Sequence, residues 1–543
     1  DSTASELTLS GSATLGSGAI ILENVKSVLH FAADKLTSLV TGIGRIEVTD
    51  STDFSFASSQ KDGDFTGTLA ILDGSFNFGT ENNQVLSSAT LETGANAEIN
   101  VNDQIGDEYN QLGNLNLAGG VIDFGSGAGI LHLQGESASI STTNGTTTTF
   151  VIDPTLSKMT DANGAAALGA DFTSVTLIDG INDHSLAMID AMAVSSTSST
   201  LQRVIQQQKD NGLVDVARLH GALGGLAFVD DKLNVGFNIS QVELLSSTDS
   251  GYVIGQDGSI GYQLIGTGNL TIAAGVSLTN GDNDYSGSTF VANGGVLTLG
   301  GTATGGLLGK TNLLSVADGG QINFNGKTEI IGNLQAIGDD ALTGEVDNLT
   351  VDFGSGDAKN GFVNGVNDQL TGSLSLTGNG VLSIDDQDSL GSTSIAIDNS
   401  STLKLSGFGE SSVLDNILSG SGSIELVDSE VEVSGQNTDL AVDWTVNEDS
   451  HLLAQGNVSS HIGSGAIALS GDATFNNDGA WTLSNALTGT GELFVSAGAS
   501  ANEFAFGQAN GEFIGDITLS NLNFRLSGNQ TNNAQTVAGT NVT

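Results

Sequence analysis

The most regular feature of the chain is a short pattern of apolar and polar positions that recurs almost from end to end. Two apolar residues flank one variable residue, a small polar or glycine turn follows, and a second such triplet comes after the turn. Residues 115–117 lead in this way to 122–124, and residues 374–376 lead to 382–384. A period of two predicts very short strands, each with one apolar face, separated by frequent turns.

Short strands with frequent turns fit two architectures, an antiparallel sandwich and a solenoid. The repeats favour the solenoid because they run through 543 residues, too many for one sandwich, and because they are alike without being identical. We therefore predict an all-β fold, a parallel β-helix. Coils of roughly 20–25 residues would give about two dozen coils, whose outward positions form ladders of Ser, Thr, Asn and Asp.

One stretch, between about residues 158 and 242, interrupts the pattern. Residues 199–209 and 213–220 have helical spacing, with Ser198 or Ser199 as a cap and Gly212 as a stop signal. We predict a short helical excursion from the solenoid here. The predicted organisation is therefore solenoid rungs at 1–157, a helical elaboration at 158–242 and further solenoid rungs at 243–543.

The charge is strongly one-sided. The chain has 14 Lys and Arg residues against 62 Asp and Glu, a net charge of −48, and residues 405–524 contain no Lys or Arg at all. Such a surface repels phosphate backbones, so we expect no nucleic-acid partner. It also disfavours anionic membranes and polyanionic sugars. The absence of cysteine excludes disulfides and thiolate metal sites.

The segment 265–345 carries a recognisable motif, with a weaker echo from Leu487 onward. It resembles the passenger-associated transport repeat of autotransporters, the proteins of type V secretion. Within that motif Asn283, Tyr285, Gly287 and Gly294 are the structural repeat residues. The other matching positions are Gly268, Leu270, Ser286, Thr289, Leu297, Leu299, Leu308, Gly309 and Ala317.

The resemblance implies a right-handed parallel β-helix that is exported across the outer membrane of a Gram-negative bacterium. It also implies a C-terminal outer-membrane barrel as partner, and the 543 residues contain no barrel-like run of strands. The implied function is that of a cell-surface adhesin of the self-associating (AIDA-like) group, which mediates aggregation, biofilm formation and host attachment. Its partners would be another copy of itself, a host surface glycan or a matrix protein.

Catalytic motifs are missing from the sequence. There is no G-x-S-x-G, the six histidines are scattered, and the P-loop-like run at 304–311 begins with Thr304 instead of glycine. Asp230 and Asp231 are adjacent, so on one strand they would point to opposite faces. We therefore predict no enzymatic activity, no catalytic residue and no cofactor.

A weak metal candidate remains at Asp282 and Asp284, which match the first half of an EF-hand loop. Position twelve of that loop would be Asn293, so the bidentate glutamate is absent. The ligand-binding residues of the protein are not identifiable from the sequence. Two other functions stay open: a β-helical polysaccharide-degrading enzyme, and a dedicated adhesin for host glycan or matrix. A structural surface-layer protein would also suit the composition.

Overall fold

The structure, a computed structural model, is a parallel β-solenoid of about 22 turns, with 58% strand and 2% helix. The predicted all-β solenoid is confirmed. The structure describes residues 4–542 apart from 12–15, 17, 79–84, 102–109, 126–128, 154–157, 161–173, 183–185, 197–200, 211, 249, 438, 499–501, 508–511 and 526–540.

The first twenty strands are β1 (Ser5–Ser10), β2 (Ile20–Leu22), β3 (Ser27–Ala32), β4 (Val40–Gly42), β5 (Arg45–Val48), β6 (Ser51–Phe54), β7 (Thr68–Asn77), β8 (Thr90–Asn100), β9 (Gln111–Leu112), β10 (Asn114–Leu117), β11 (Val121–Asp123), β12 (Leu131–Leu133), β13 (Ile140–Thr142), β14 (Thr148–Ile152), β15 (Lys158–Thr160), β16 (Ser174–Asp179), β17 (Met192–Ser196), β18 (Leu201–Lys209), β19 (Gly212–Val229) and β20 (Lys232–Leu244). A 3-10 helix spans Leu186–Ala191.

The later strands are β21 (Tyr252–Ile254), β22 (Gly258–Ile260), β23 (Gln263–Gly266), β24 (Leu270–Ile272), β25 (Gly275–Leu278), β26 (Thr289–Val291), β27 (Val296–Leu299), β28 (Leu314–Val316), β29 (Gln321–Asn323), β30 (Lys327–Ile331), β31 (Leu334–Ile337), β32 (Leu342–Asp352), β33 (Lys359–Asn364), β34 (Leu370–Thr377), β35 (Gly380–Ile384), β36 (Ser392–Ile397), β37 (Ser401–Ser406), β38 (Ser412–Leu414), β39 (Leu418–Gly420), β40 (Ser423–Val427), β41 (Glu430–Val433), β42 (Asp443–Val446), β43 (His451–Gly456), β44 (Ile467–Leu469), β45 (Asp472–Asn477), β46 (Trp481–Leu483), β47 (Leu487–Gly489), β48 (Glu492–Ala497), β49 (Asn502–Phe506), β50 (Glu512–Phe513), β51 (Asp516–Ser520), β52 (Leu522–Arg525) and β53 (Asn541–Val542). The helix α1 spans Val458–Ile462.

The chain divides into two compact units, and the first comprises residues 1–160, 168–206 and 218–242. Its main sheet runs in the order β1-β3-β5-β7-β8-β11-β14-β17, with parallel pairing between successive coils. Because the pairing is in register, equivalent apolar side chains stack on one another. One such column, buried in the core, is Leu29, Ile46, Leu69, Leu91, Leu115 and Ile140.

The second unit comprises residues 161–167, 207–217 and 243–543. Thirteen strands form its longest sheet, from β21 to β50, and neighbouring strands in that sheet are parallel. A buried column again marks the core: Leu382, Leu403, Ile424, Trp444, Ile467 and Leu487. Trp444 is buried within this column, and its indole N–H has a partner there because it donates to the Ile462 carbonyl at 2.8 Å.

The predicted helices at 199–209 and 213–220 are wrong: residues 201–209 form β18, and 213–220 lie within β19. In β18 the buried side chains alternate with a period of two, as Arg203, Ile205 and Gln207. Two of these three are polar, so the hydropathy pattern hid the strand period. The cap positions Ser198 and Ser199 lie outside the described residues.

Antiparallel pairing of strands explains why the repeated pattern of apolar positions is interrupted between residues 158 and 242. β16 pairs antiparallel with β20, and β20 also neighbours β19 in the sheet. Asp230 follows β19 and has a φ of 54°, which lies in the left-handed region that tight turns use. The excursion is therefore made of long strands, and its boundaries at 158 and 242 stay a prediction.

Close stacking of coils makes some glycines irreplaceable. Gly372 and Gly354 both have a positive φ, of +105° and +76°. A Cβ on Gly372 would overlap the carbonyl oxygen of Val346 on the preceding coil, whereas a Cβ on Gly354 would meet nothing within 4 Å.

We expect Gly372→Ala to lower the free energy of unfolding by about 1–3 kcal/mol more than Gly354→Ala, because only the first adds overpacking to backbone strain. Chemical denaturation of the two variants measures the difference. Equal losses would show that the coils separate enough to accept a methyl group.

Candidate functional site

Asn283, in the turn between β25 and β26, joins three successive coils. Its side chain is 8% exposed. The Oδ1 atom accepts the Leu264 N–H at 2.8 Å from the preceding coil, and the Nδ2 group donates to the Leu307 carbonyl at 2.7 Å in the following coil. The asparagine of the repeat motif therefore acts as a clamp that pairs backbone groups which would otherwise be buried without a partner.

The same clamp recurs further along the second unit. Asn367 accepts from Leu342 N–H at 2.8 Å and donates to the Ser389 carbonyl at 2.9 Å. Asn437 makes the equivalent pair of bonds, both at 2.7 Å, with Leu418 and His461. Sequence analysis missed these two residues because it assigned polar positions to the outer face. The detectable signal is an Asn that precedes a strand by a few residues, as in the motif itself.

Tyr285 is fully buried and belongs to a closed hydroxyl network. Its phenol contacts Thr289 Oγ1 at 2.7 Å, and Thr289 contacts Thr311 Oγ1 at 2.9 Å. Thr311 donates in turn to the Gly287 carbonyl at 2.8 Å. Burial, with a smaller contribution from the charge of Glu329, raises the pKa of Tyr285, so the phenol is neutral at physiological pH.

The two motif glycines serve close approach and turning. A Cβ on Gly287 would overlap the Gly268 carbonyl oxygen of the preceding coil. Gly294 has a φ of +77°, and its N–H donates to the Gly319 carbonyl at 2.9 Å. All four motif residues thus have backbone-organising roles in the structure.

The metal candidates Asp282 and Asp284 lie on the surface of the same turn. Asp284 Oδ1 forms an ion pair with Lys310 Nζ at 2.7 Å, and both side chains are more than half exposed. Within the described ranges, no three His, Asp or Glu side chains are grouped so that they could hold a metal ion. Among the described residues, the structure therefore does not group further His, Asp or Glu side chains with these two aspartates into a metal site.

Glu329, which sequence analysis did not single out, is the most deeply buried acidic side chain of this region, at 1% exposed. Its two carboxylate oxygens accept the backbone N–H groups of Leu307 and Leu308 at 2.9 and 3.0 Å. Burial raises the pKa of Glu329, while the two amides and nearby Lys327 act in the opposite direction. Glu329 lies two residues before the buried Ile331 in β30, so both side chains are on the same face of the strand. This spacing is the only sequence signal that Glu329 is buried.

The outward positions form ladders, as predicted. Ser259, Ser277, Thr298 and Asn323 stand in register on four successive coils. A second ladder, which we call the acidic column, stands in register in the sheet that contains β41: it consists of Glu430, His451, Asp472, Glu492 and Asp516. Neighbouring strands lie about 4.8 Å apart, so these groups recur at close, regular intervals.

The first unit has a ladder of mixed charge. His30 Nδ1 lies 2.9 Å from Glu47, and Arg45 reaches past the intervening strand β7 to pair with Glu92 on β8. Asn116 Nδ2 also donates to Glu92, at 2.7 Å. The pairing with Arg45 and Asn116 lowers the pKa of the Glu92 carboxyl against the opposing effect of burial. This ladder contains an arginine that pairs with two glutamates, whereas the acidic column contains four carboxylates and one imidazole.

Comparison with known proteins yields two relatives from Escherichia coli K12. The chain is 27% identical over 371 residues to "Uncharacterized protein YuaQ", an alignment that covers 63% of this chain and 26% of that protein. It is 24% identical over 543 residues to "Uncharacterized lipoprotein YdeK", covering 90% of this chain and 39% of that protein. The chain thus spans well under half the length of these relatives.

Other comparisons add no relationship. No family model matches the chain, and no solved structure matches it. Among the described residues, none of the helices has the length and hydrophobicity needed to cross a membrane.

Loss of the Asn283 clamp should destabilise the second unit. Asn283→Ala leaves a buried N–H and a buried carbonyl without partners, so we expect the free energy of unfolding to fall by about 2–4 kcal/mol. Asn293, in the turn between β26 and β27, provides the control: its bond to the Asp318 carbonyl at 2.7 Å is exposed to solvent, so Asn293→Ala should cost less than about 1 kcal/mol. Denaturant titration followed by circular dichroism tests both, and equal effects would contradict the clamp.

The buried carboxyl of Glu329 should make stability depend on pH. Because its pKa is raised in the folded state, the folded protein takes up a proton at higher pH than the unfolded chain does. The stability that wild type has relative to Glu329→Gln should therefore increase as pH falls from 8 towards 5, by at most about 1.4 kcal/mol per pH unit. Unfolding curves of both proteins across this pH range test the prediction, because the contributions of all other carboxyl groups cancel in the difference between the two proteins. A constant difference would contradict it.

Proposed function

We propose that the protein is a non-catalytic cell-surface adhesin that promotes self-association of bacteria through the polar ladders of its solenoid. The observation that carries the proposal is the register of the outward positions. In-register stacking places a hydrogen-bonding side chain at the same position on successive coils, as in Ser259, Ser277, Thr298 and Asn323. A facing copy with the same spacing can then form many equivalent contacts.

Each contact is weak, and repetition supplies the strength. A surface hydrogen bond contributes only about 0.5–1.5 kcal/mol net. Contacts that are linked along one scaffold reinforce one another, because the first brings the next within reach. A solenoid of about 22 turns provides enough repeats for this to matter.

The location and export route follow from two supports. The segment at 265–345 resembles a transport repeat of autotransporter passengers, and one relative is named as a lipoprotein. Both support an envelope location, and we propose export across the outer membrane to the cell surface. The polar, glycine-rich turns and the absence of cysteine are compatible with that route.

The charge of the protein predicts the direction in which salt should change self-association. Copies of net charge −48 repel one another, and salt screens this repulsion beyond a Debye length of about 8 Å at physiological ionic strength. We therefore expect cells displaying the protein to sediment faster as salt rises from low to physiological concentration. No sedimentation at any salt concentration would contradict self-association.

The acidic column offers a sharper version of the test. Neutralising Asp472, Glu492 and Asp516 as Asn, Gln and Asn removes repulsion that is concentrated on three adjacent coils, so we expect aggregation to begin at lower salt. The control neutralises three exposed aspartates on separated positions, Asp357, Asp368 and Asp415, with the same change in net charge. If both triple variants shift the salt midpoint equally, the acidic column does not lie at the contact between cells.

A further inference from the structure

A recess in the second unit arises where three successive turns differ in length. The turn from β27 to β28 is long, at 300–313, and the turn from β32 to β33 spans 353–358. Between them, the turn from β30 to β31 consists only of residues 332 and 333. The short middle turn leaves a groove of about 350 Å³ between its longer neighbours. This volume lies in the range of small-molecule sites.

The walls of the groove are held in place. Glu329 accepts the N–H groups of Leu307 and Leu308, and Thr311 is fixed by its bond to the Gly287 carbonyl. The Gly332 N–H donates to the Thr311 carbonyl at 2.9 Å, which ties the first wall to the floor. A groove built on such bonds binds a ligand without first having to order its own loops.

The groove lies where the few basic residues of this part of the chain are concentrated. Residues 243–543 contain five Lys or Arg residues, and three of them lie between 310 and 359. Two of the three, Lys310 and Lys359, line the groove. Lys310 pairs with Asp284, but in the part of the chain that the structure describes no carboxylate pairs with half-buried Lys359.

Lys359 has the geometry of a positioned cation. An ammonium has three N–H donors, and the structure pairs one of them, with the Gly332 carbonyl at 3.1 Å. That bond holds the ammonium at the floor of the groove. An anionic group in the groove could take the remaining donors.

The rest of the lining is mixed in character. Ile330, 60% exposed, supplies an apolar wall. Asn312 and Asp352 are exposed and add amide and carboxylate groups that can bond to hydroxyls. Among the described residues, the groove thus combines one lysine that no carboxylate pairs, one apolar wall and several polar groups. This combination matches a sugar ring that carries a single carboxylate.

We propose that this groove binds one carboxylated monosaccharide unit at the end of an otherwise neutral glycan. A polyanionic glycan does not fit, because the protein's net charge of −48 repels further negative charges outside the groove. A neutral sugar would leave Lys359 without its counter-charge. This inference does not depend on self-association, which involves other surfaces.

Ligand-observed NMR on the purified chain tests the proposal, with glucuronic acid and N-acetylneuraminic acid as carboxylated probes. Glucose serves as the neutral probe and heparin as the polyanion. We expect at least one carboxylated probe to bind, and glucose and heparin not to compete with it. Binding of glucose as strong as that of both acids, or binding of heparin alone, would overturn the proposal, as would no binding of either acid.

Two variants test whether the binding site is the groove. Lys359→Gln should weaken binding about tenfold, the loss expected for one charge-assisted hydrogen bond. Ile330→Thr, a change at an exposed position of β30, should also weaken it. Lys404→Gln and Ile337→Thr, which lie away from the groove, are the matched controls. Equal affinities in all four variants would overturn the assignment of the binding site to the groove. The self-association proposal is tested separately, by the aggregation of displaying cells, and does not depend on that result.

Discussion

The structure depends on one constraint, the in-register parallel pairing of each coil with the next. Parallel strands pair residue with residue, so a position within a paired strand lies directly over its equivalent on the neighbouring coil. Inside the solenoid this stacks aliphatic side chains into columns, and outside it stacks polar ones. The buried core and the polar ladders are therefore two results of the same register.

The register also explains the unusual residues of the chain. Coils about 4.8 Å apart leave no room for a Cβ where two backbones approach most closely, as at Gly372 in β34 and at Gly287 in a turn. Some buried backbone groups, in strands and in turns, have no partner on a neighbouring strand. Buried asparagines satisfy those groups, and their side chains have both a donor and an acceptor for the purpose.

Much of the fold could be predicted from the sequence, because the period of two is directly visible where buried positions are apolar, as in 374–384. The prediction failed at β18, where Arg203 and Gln207 occupy inward positions and the apolar residues alone suggested a helix. Glu329 and the groove beside Lys359 were not predictable for a related reason. Both depend on the relative lengths of turns on neighbouring coils, which hydropathy does not encode. The motif residue Asn283, by contrast, was found by resemblance, and its clamp gives the physical reason for its place in the motif.

The asparagine clamps have a consequence for how such a chain comes apart. In a stack where each coil touches only its neighbours, unravelling can proceed one coil at a time. Asn283 bonds simultaneously to the coil before it and the coil after it, and Asn367 and Asn437 do the same. Peeling away the coil on one side removes one of the two bonds that fix the asparagine side chain, and this weakens its bond to the coil on the other side. Under shear or attack by proteases, we therefore expect coils that share a clamp to detach together.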